Sequence, residues 1–124
     1  MNAVLVDRHP VARRAAYGAL FAGSLAAAIA VAGAGTWQIW AFLVLPDVAL
    51  LLGIGRDLER GRLHPRAVAL YNALHRLVGP VALGVASVWL GPEWLAGALA
   101  WAAHVFVDRS VGYGLRTPEG FQRR

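Results

Sequence analysis

"AAYGALFAGSLAAAIAVAGAG", residues 15–35, contains no charged residue. A helix needs about 20 mainly apolar residues to cross the hydrocarbon layer of a bilayer, so this run is long enough. Three more apolar runs follow. "WQIWAFLVLPDVALLLGI", residues 37–54, carries a single charge at Asp47. "AVALYNALHRLVGPVALGVASVWL", residues 67–90, carries His75 and Arg76. "EWLAGALAWAAHVFVDRSVGYGL", residues 93–115, keeps His104, Asp108 and Arg109 for its last turns. None of these runs alternates polar and apolar faces as a helix of a soluble protein does. They predict an all-α membrane protein, one domain over residues 1–124, built of four antiparallel transmembrane helices. Arg13 and Arg14 ahead of the first run resemble the start of a signal peptide. The run is longer than the apolar region of such a peptide, and it is read as a true span.

Composition agrees. Of 124 residues, 58% are hydrophobic and 15% are charged, against about 25% charged in an ordinary soluble domain. All twelve basic residues are Arg, and the net charge is +5. In a soluble protein that balance would suggest nucleic acid. Here the arginines sit between apolar runs, so they are topology signals and no nucleic-acid partner is expected. The Arg-, Ala- and Gly-rich bias suits a high-GC bacterial genome. There is no cysteine, which excludes disulfides, thiolate metal sites and iron–sulfur clusters.

Arg8, Arg13 and Arg14 precede the first run. Arg56, Arg60, Arg62 and Arg66 separate the second from the third, and Arg109, Arg116, Arg123 and Arg124 follow the fourth. The other two connections, "GAGTWQ" and "GPE", hold no Arg. Basic residues mark the cytoplasmic side, so both termini are expected in the cytoplasm, in a bacterial inner membrane. Trp37, Trp40, Trp89 and Trp94 flank the uncharged connections, as an outer aromatic belt would. The lipid bilayer is the first expected partner. A small-residue stripe in the first run, Gly18, Ala22, Ala26 and Ala30, favours close helix packing, within the bundle, in a homo-oligomer or in a larger membrane complex.

At 1.5 Å per residue, Asp47 lies roughly 13 Å from Arg56 along its helix, and His75 roughly 13 Å from Arg66. His104 is about 7 Å from Arg109. The polar residues of three spans thus share the inner half, where an unpaired ionisable group is costly. Asn72 and His75 are spaced i, i+3, and His104 and Asp108 i, i+4, so each pair shares a helix face. Pro46 frees the carbonyl of Phe42, and Pro80 that of Arg76, because proline has no N–H to donate. Kinks there would widen a cavity or present a carbonyl to it. "GYGL" is expected to break the last helix at Gly112 or Gly114, with Tyr113 anchored at the inner interface.

Two readings of the polar set remain open. Asp47, His75, His104 and Asp108 form a two-His, two-carboxylate set suited to a divalent metal, Zn, Fe or Mn. Tyr71 or Asn72 would then orient an imidazole. Otherwise the same residues form ion pairs between helices, with Arg76 on Asp47 and Arg109 or His104 on Asp108.

"LPD", "YNALH", "WAAHVFVDRSVGYGL" and "GF", in this order, resemble the small bacterial membrane proteins grouped as domain of unknown function 4260. The resemblance covers roughly residues 13 to 121. It implies a four-span integral membrane protein and marks Asp47, Asn72, His75, His104, Asp108, Arg109 and Tyr113 as motif positions. It implies no activity. Family members carry an acidic residue where this chain reads "RRAAYG", and continue past the GF where it reads "GFQRR". Three functions fit. The first is a structural, accessory or small-molecule-binding protein using the inner polar cluster. The second is a metal-dependent enzyme acting on an apolar or lipid-like substrate. The third is a proton or solute carrier, against which stands the lack of ionisable residues on the outer side beyond Glu93.

Overall fold

The computed structural model describes residues 10–55 and 58–123. Arg8, Arg56 and Arg124 therefore lie outside the described residues. Regular structure among the described residues is helical: α1 (Pro10–Ala32), α2 (Trp37–Val44), a 3₁₀ turn (Leu45–Asp47), α3 (Val48–Leu52), α4 (Pro65–Leu74), α5 (Val78–Leu90) and α6 (Pro92–Ser110). One isolated antiparallel bridge joins Arg116 to Gln122. Among the described residues, one helix, α1, is long and apolar enough to cross a membrane. The pair α4 and α5, bent by 48° at their junction, passes the same criterion only if taken as one segment.

α6 is the hub. It packs against α1, α2 and α5, while α3 lies on α4. The buried face of α6 is mostly small, with Ala96, Gly97, Ala98, Ala100 and Ala103. Small side chains let helix backbones approach closely, and dispersion across the contact supplies the attraction. Ala28 of α1, Ile39 of α2, and Ala96 and Ala100 of α6 make one core cluster. Gly97 is needed at the α2 contact, because a Cβ there would lie 2.8 Å from the Phe42 ring. Phe42 stacks on Trp101, with centroids 5.9 Å apart.

The small-residue stripe of the first run does not make these contacts. Ala22, Ala26 and Ala30 are exposed, and α1 meets the bundle through Ala28, flanked by Leu25 and Ile29. A four-residue period drifts around a helix of 3.6 residues per turn, and the larger side chains beside it bury more apolar area.

Both proline sites interrupt a helix, as expected, but the carbonyls put to use are neighbours of the expected ones. Pro46 lies in the 3₁₀ turn between α2 and α3. Leu43 O, one residue beyond Phe42, accepts from His104 Nδ1 at 2.7 Å. Ahead of Pro80, α4 ends at Leu74 and α5 begins at Val78. Trp101 Nε1 donates to Leu74 O at 2.8 Å, and Arg109 donates to His75 O at 3.2 Å. Gly79 leaves the space that the Trp101 ring occupies.

The fourth run stops being helical at Ser110, with the break at Gly112, one of the two glycines expected to end it. Gly112 has φ +95°. Its N–H bonds Arg109 O, and the Tyr113 N–H bonds Asp108 O at 2.8 Å, which together close a Schellman cap. The chain then folds back over α4. Asn72 makes two hydrogen bonds to the Arg116 backbone, at 2.7 and 3.0 Å. Leu63 N–H donates to Gly120 O at 2.9 Å. Gly120 has φ +103°, and a Cβ there would collide with the Leu63 carbonyl. The GF of the tail is thus a docking element. Gly120→Ala is expected to release it, so that trypsin cleaves after Arg116 faster than in the parent chain while the helical circular dichroism is unchanged.

Candidate functional site

Three helical segments bring four side chains to one point. Asp47 ends the 3₁₀ turn created by Pro46. His75 caps the C-terminus of α4. His104 and Asp108 are one turn apart on α6. The two imidazoles are buried, with side chains 3% and 8% exposed, whereas the Asp47 side chain is 46% exposed.

The hydrogen bonds of the rings fix their orientation. His75 Nδ1 lies 2.7 Å from Tyr71 O, and His104 Nδ1 lies 2.7 Å from Leu43 O. A carbonyl can only accept, so each Nδ1 carries the proton. In the neutral ring Nε2 then presents a lone pair. The two Nε2 atoms face each other at 3.3 Å. Around them are Asp47 Oδ1, at 3.5 Å from His75 and 3.2 Å from His104, and Asp108 Oδ2, at 3.2 and 3.3 Å. No two of the four atoms are more than 4.8 Å apart. With both rings neutral, two lone pairs and two carboxylate oxygens converge on one space. A group of this composition and spacing could hold a metal ion.

The Tyr71 ring stacks on His75, with centroids 3.9 Å apart and planes 18° from parallel. Arg116 places its guanidinium 4.8 Å from the same ring, and Gln122 donates to the Tyr71 hydroxyl at 3.2 Å. The tail therefore holds Tyr71, and Tyr71 holds His75 through both its carbonyl and its ring.

Asp47, His75, His104 and Asp108, proposed from sequence as one set, are brought together. The expected partners around them are rearranged. Tyr71 orients His75 through its backbone carbonyl, not its hydroxyl. Asn72 points to the Arg116 backbone, away from the cluster. Arg76 is exposed, and no ion pair joins it to Asp47. The end of α4 at Leu74 takes residues 75–77 off the helical path that would have aimed Arg76 inward. Arg109 reaches the carbonyl of His75 in place of Asp108. Tyr113 is 54% exposed. Sequence reasoning missed the carbonyl of Leu43 and the indole of Trp101. The latter had a signal, since Trp101 and His104 stand i, i+3 on one face of α6.

The family model described as Domain of unknown function (DUF4260) matches residues 12–124. The chain belongs to this family. No curated protein and no solved structure matches it. In this DUF4260 chain, the motif positions Asp47, His75, His104 and Asp108 are the converging set, and Asn72 serves the tail. Replacing Asn72 by Ala should lower stability by about 1–3 kcal/mol, the worth of its two part-buried hydrogen bonds to the Arg116 backbone, read as a lower midpoint in thermal unfolding.

Proposed function

We propose that this chain is a four-span inner-membrane protein that binds one divalent transition metal through Asp47, His75, His104 and Asp108. The observation that carries the metal reading is the set of five separations of 3.2–3.5 Å among the four ligand atoms. With bonds of 2.0–2.1 Å, the edge of a tetrahedron is about 3.3 Å. Two protons would serve less well than one metal ion, because two imidazolium Nε2–H groups would point at each other across 3.3 Å. Zinc suits the tetrahedral edges, and iron or manganese also accepts this donor set.

Membrane insertion rests on three features. α1 is long and apolar enough to span. The outward face of α5 is a row of exposed apolar side chains, with Val81, Val85 and Val88 at 64%, 58% and 79%. In water, such a face would be an aggregation hazard. Trp37 and Trp94, 5.7 Å apart, gather where α2 and α6 begin, and arginines of three segments gather where α1 begins and α6 ends. On this reading the arginine end is cytoplasmic, and the outward stripe of α1 faces lipid, a second copy or a larger membrane complex.

Asp47 is the exposed edge of the cluster, and Val44, Val48 and Leu51 beside it are exposed as well. A metal held there would act as a Lewis acid or activate water. The chain's own contribution is to hold two imidazoles as Nδ1–H tautomers, and to admit an apolar or lipid-like substrate from the Asp47 side.

Protein purified in neutral detergent, incubated with Zn²⁺, Fe²⁺ or Mn²⁺ and desalted, should retain about one metal per chain by elemental analysis. His75→Ala and His104→Ala should each weaken retention at least tenfold. Acid should release the ion, since protons compete for Nε2. A parent chain that retains none of the three metals overturns the metal centre and leaves an ion-pair network. Separately, a reporter fused to either terminus should be active only on the cytoplasmic side; a periplasmic signal would reverse the topology.

A further inference from the structure

At the arginine-rich end, a cavity of about 970 Å³ opens between the start of α1, the loop before α4 and the tail after α6. Arg13, Arg14, Arg60, Arg109 and Arg123 line it, and no acidic residue is among its described lining. We propose that this cavity is a binding site for a phosphate-bearing ligand.

Three observations carry the proposal. The first is charge: arginines from three separate segments line one space, although like charges repel and nothing in the chain connectivity requires them to meet. A guanidinium presents its donors in a planar fork that matches phosphate oxygens. The second is construction, in the two glycines of "GYGL". A Cβ at Gly112 would lie 2.6 Å from Arg14 Nη2, and a Cβ at Gly114 would lie 2.8 Å from Arg109 Nη1. Each glycine cedes the space of a side chain to a guanidinium of the cavity. The helix cap explains Gly112, which has positive φ, but it does not explain Gly114, whose φ is not positive. Arg109 is further fixed by donating to the carbonyl of His75. The third is size. The volume is far larger than a bare ion needs and falls within the range of small-molecule sites. Val111, Leu115 and Phe121 also line it, so a ligand with an apolar portion fits beside the phosphate.

The chemistry is shared by a phospholipid headgroup and a free phosphate compound, and the site stands whether or not the His/Asp cluster holds a metal. The test is isothermal titration of the full chain in neutral detergent, with inorganic phosphate and with dioctanoyl phosphatidic acid. Saturable binding of at least one is expected. Binding of phosphatidic acid alone identifies a lipid headgroup, and binding of inorganic phosphate identifies a free-phosphate site. Arg14→Gln with Arg123→Gln, both exposed positions, should weaken that binding at least tenfold. Arg60→Gln alone should weaken it several-fold. An unchanged affinity in the double variant, or no saturable binding of either probe, overturns the proposal. Metal retention measured on the same variants should match the parent, which separates failure here from failure of the metal centre.

Discussion

A backbone carbonyl freed by a helix break must find a donor when it is buried among apolar side chains. Most of this structure follows from meeting that demand at two places. The break at Pro46 leaves Leu43 O to His104, and the break ahead of Pro80 leaves Leu74 O to Trp101 and His75 O to Arg109. All three donors come from α6. That helix therefore does more than fill space between α1, α2 and α5. It ties the two broken segments into fixed positions, and its small residues let it come close enough to do so.

The chemistry of the cluster depends on one of these bonds, from His104 to Leu43 O, and on the bond from His75 to Tyr71 O. Once Nδ1 of His104 is committed to a carbonyl, Nε2 must point the other way, and the same holds for His75 at Tyr71 O. Both lone pairs then meet the carboxylates that the 3₁₀ turn and the last turns of α6 supply. Within each ring, Nδ1 is spent on a backbone carbonyl and Nε2 is left facing the carboxylates. Removing a break would take away the carbonyl, the ring orientation and the convergence together.

The arginine-rich end is organised by a second set of bonds. The Schellman cap at Gly112 turns the chain back, and Asn72, Leu63 and Tyr71 receive it. The returning tail buttresses Tyr71, which is stacked on His75, and it also closes one side of the arginine-lined cavity. Arg109 links the cluster and the cavity, since it lines the cavity and donates to the carbonyl of His75.

Four apolar runs, two proline interruptions, a glycine stop after α6 and the set Asp47, His75, His104 and Asp108 were determined by the sequence itself. Each is a local matter: hydrophobic run length, a missing N–H, a backbone conformation only glycine takes freely, or a polar residue too costly to leave alone in an apolar run. Membership of a family with that motif order was legible for the same reason. What only the tertiary structure decided is which groups pair across helices. Asn72 and His75 share a face by spacing, yet one serves the tail and the other the cluster, because the returning chain occupies the space beside Asn72. Arg76 adjoins His75 in sequence, yet it is exposed, because α4 ends at Leu74. The carbonyl used is that of Leu43 and not Phe42, because the reach of the His104 ring, set by how α6 packs on α2, selects among the carbonyls near a break. Pairing distances of a few ångströms depend on helix axes and on rotations about them, and hydrophobic run length and residue spacing fix neither.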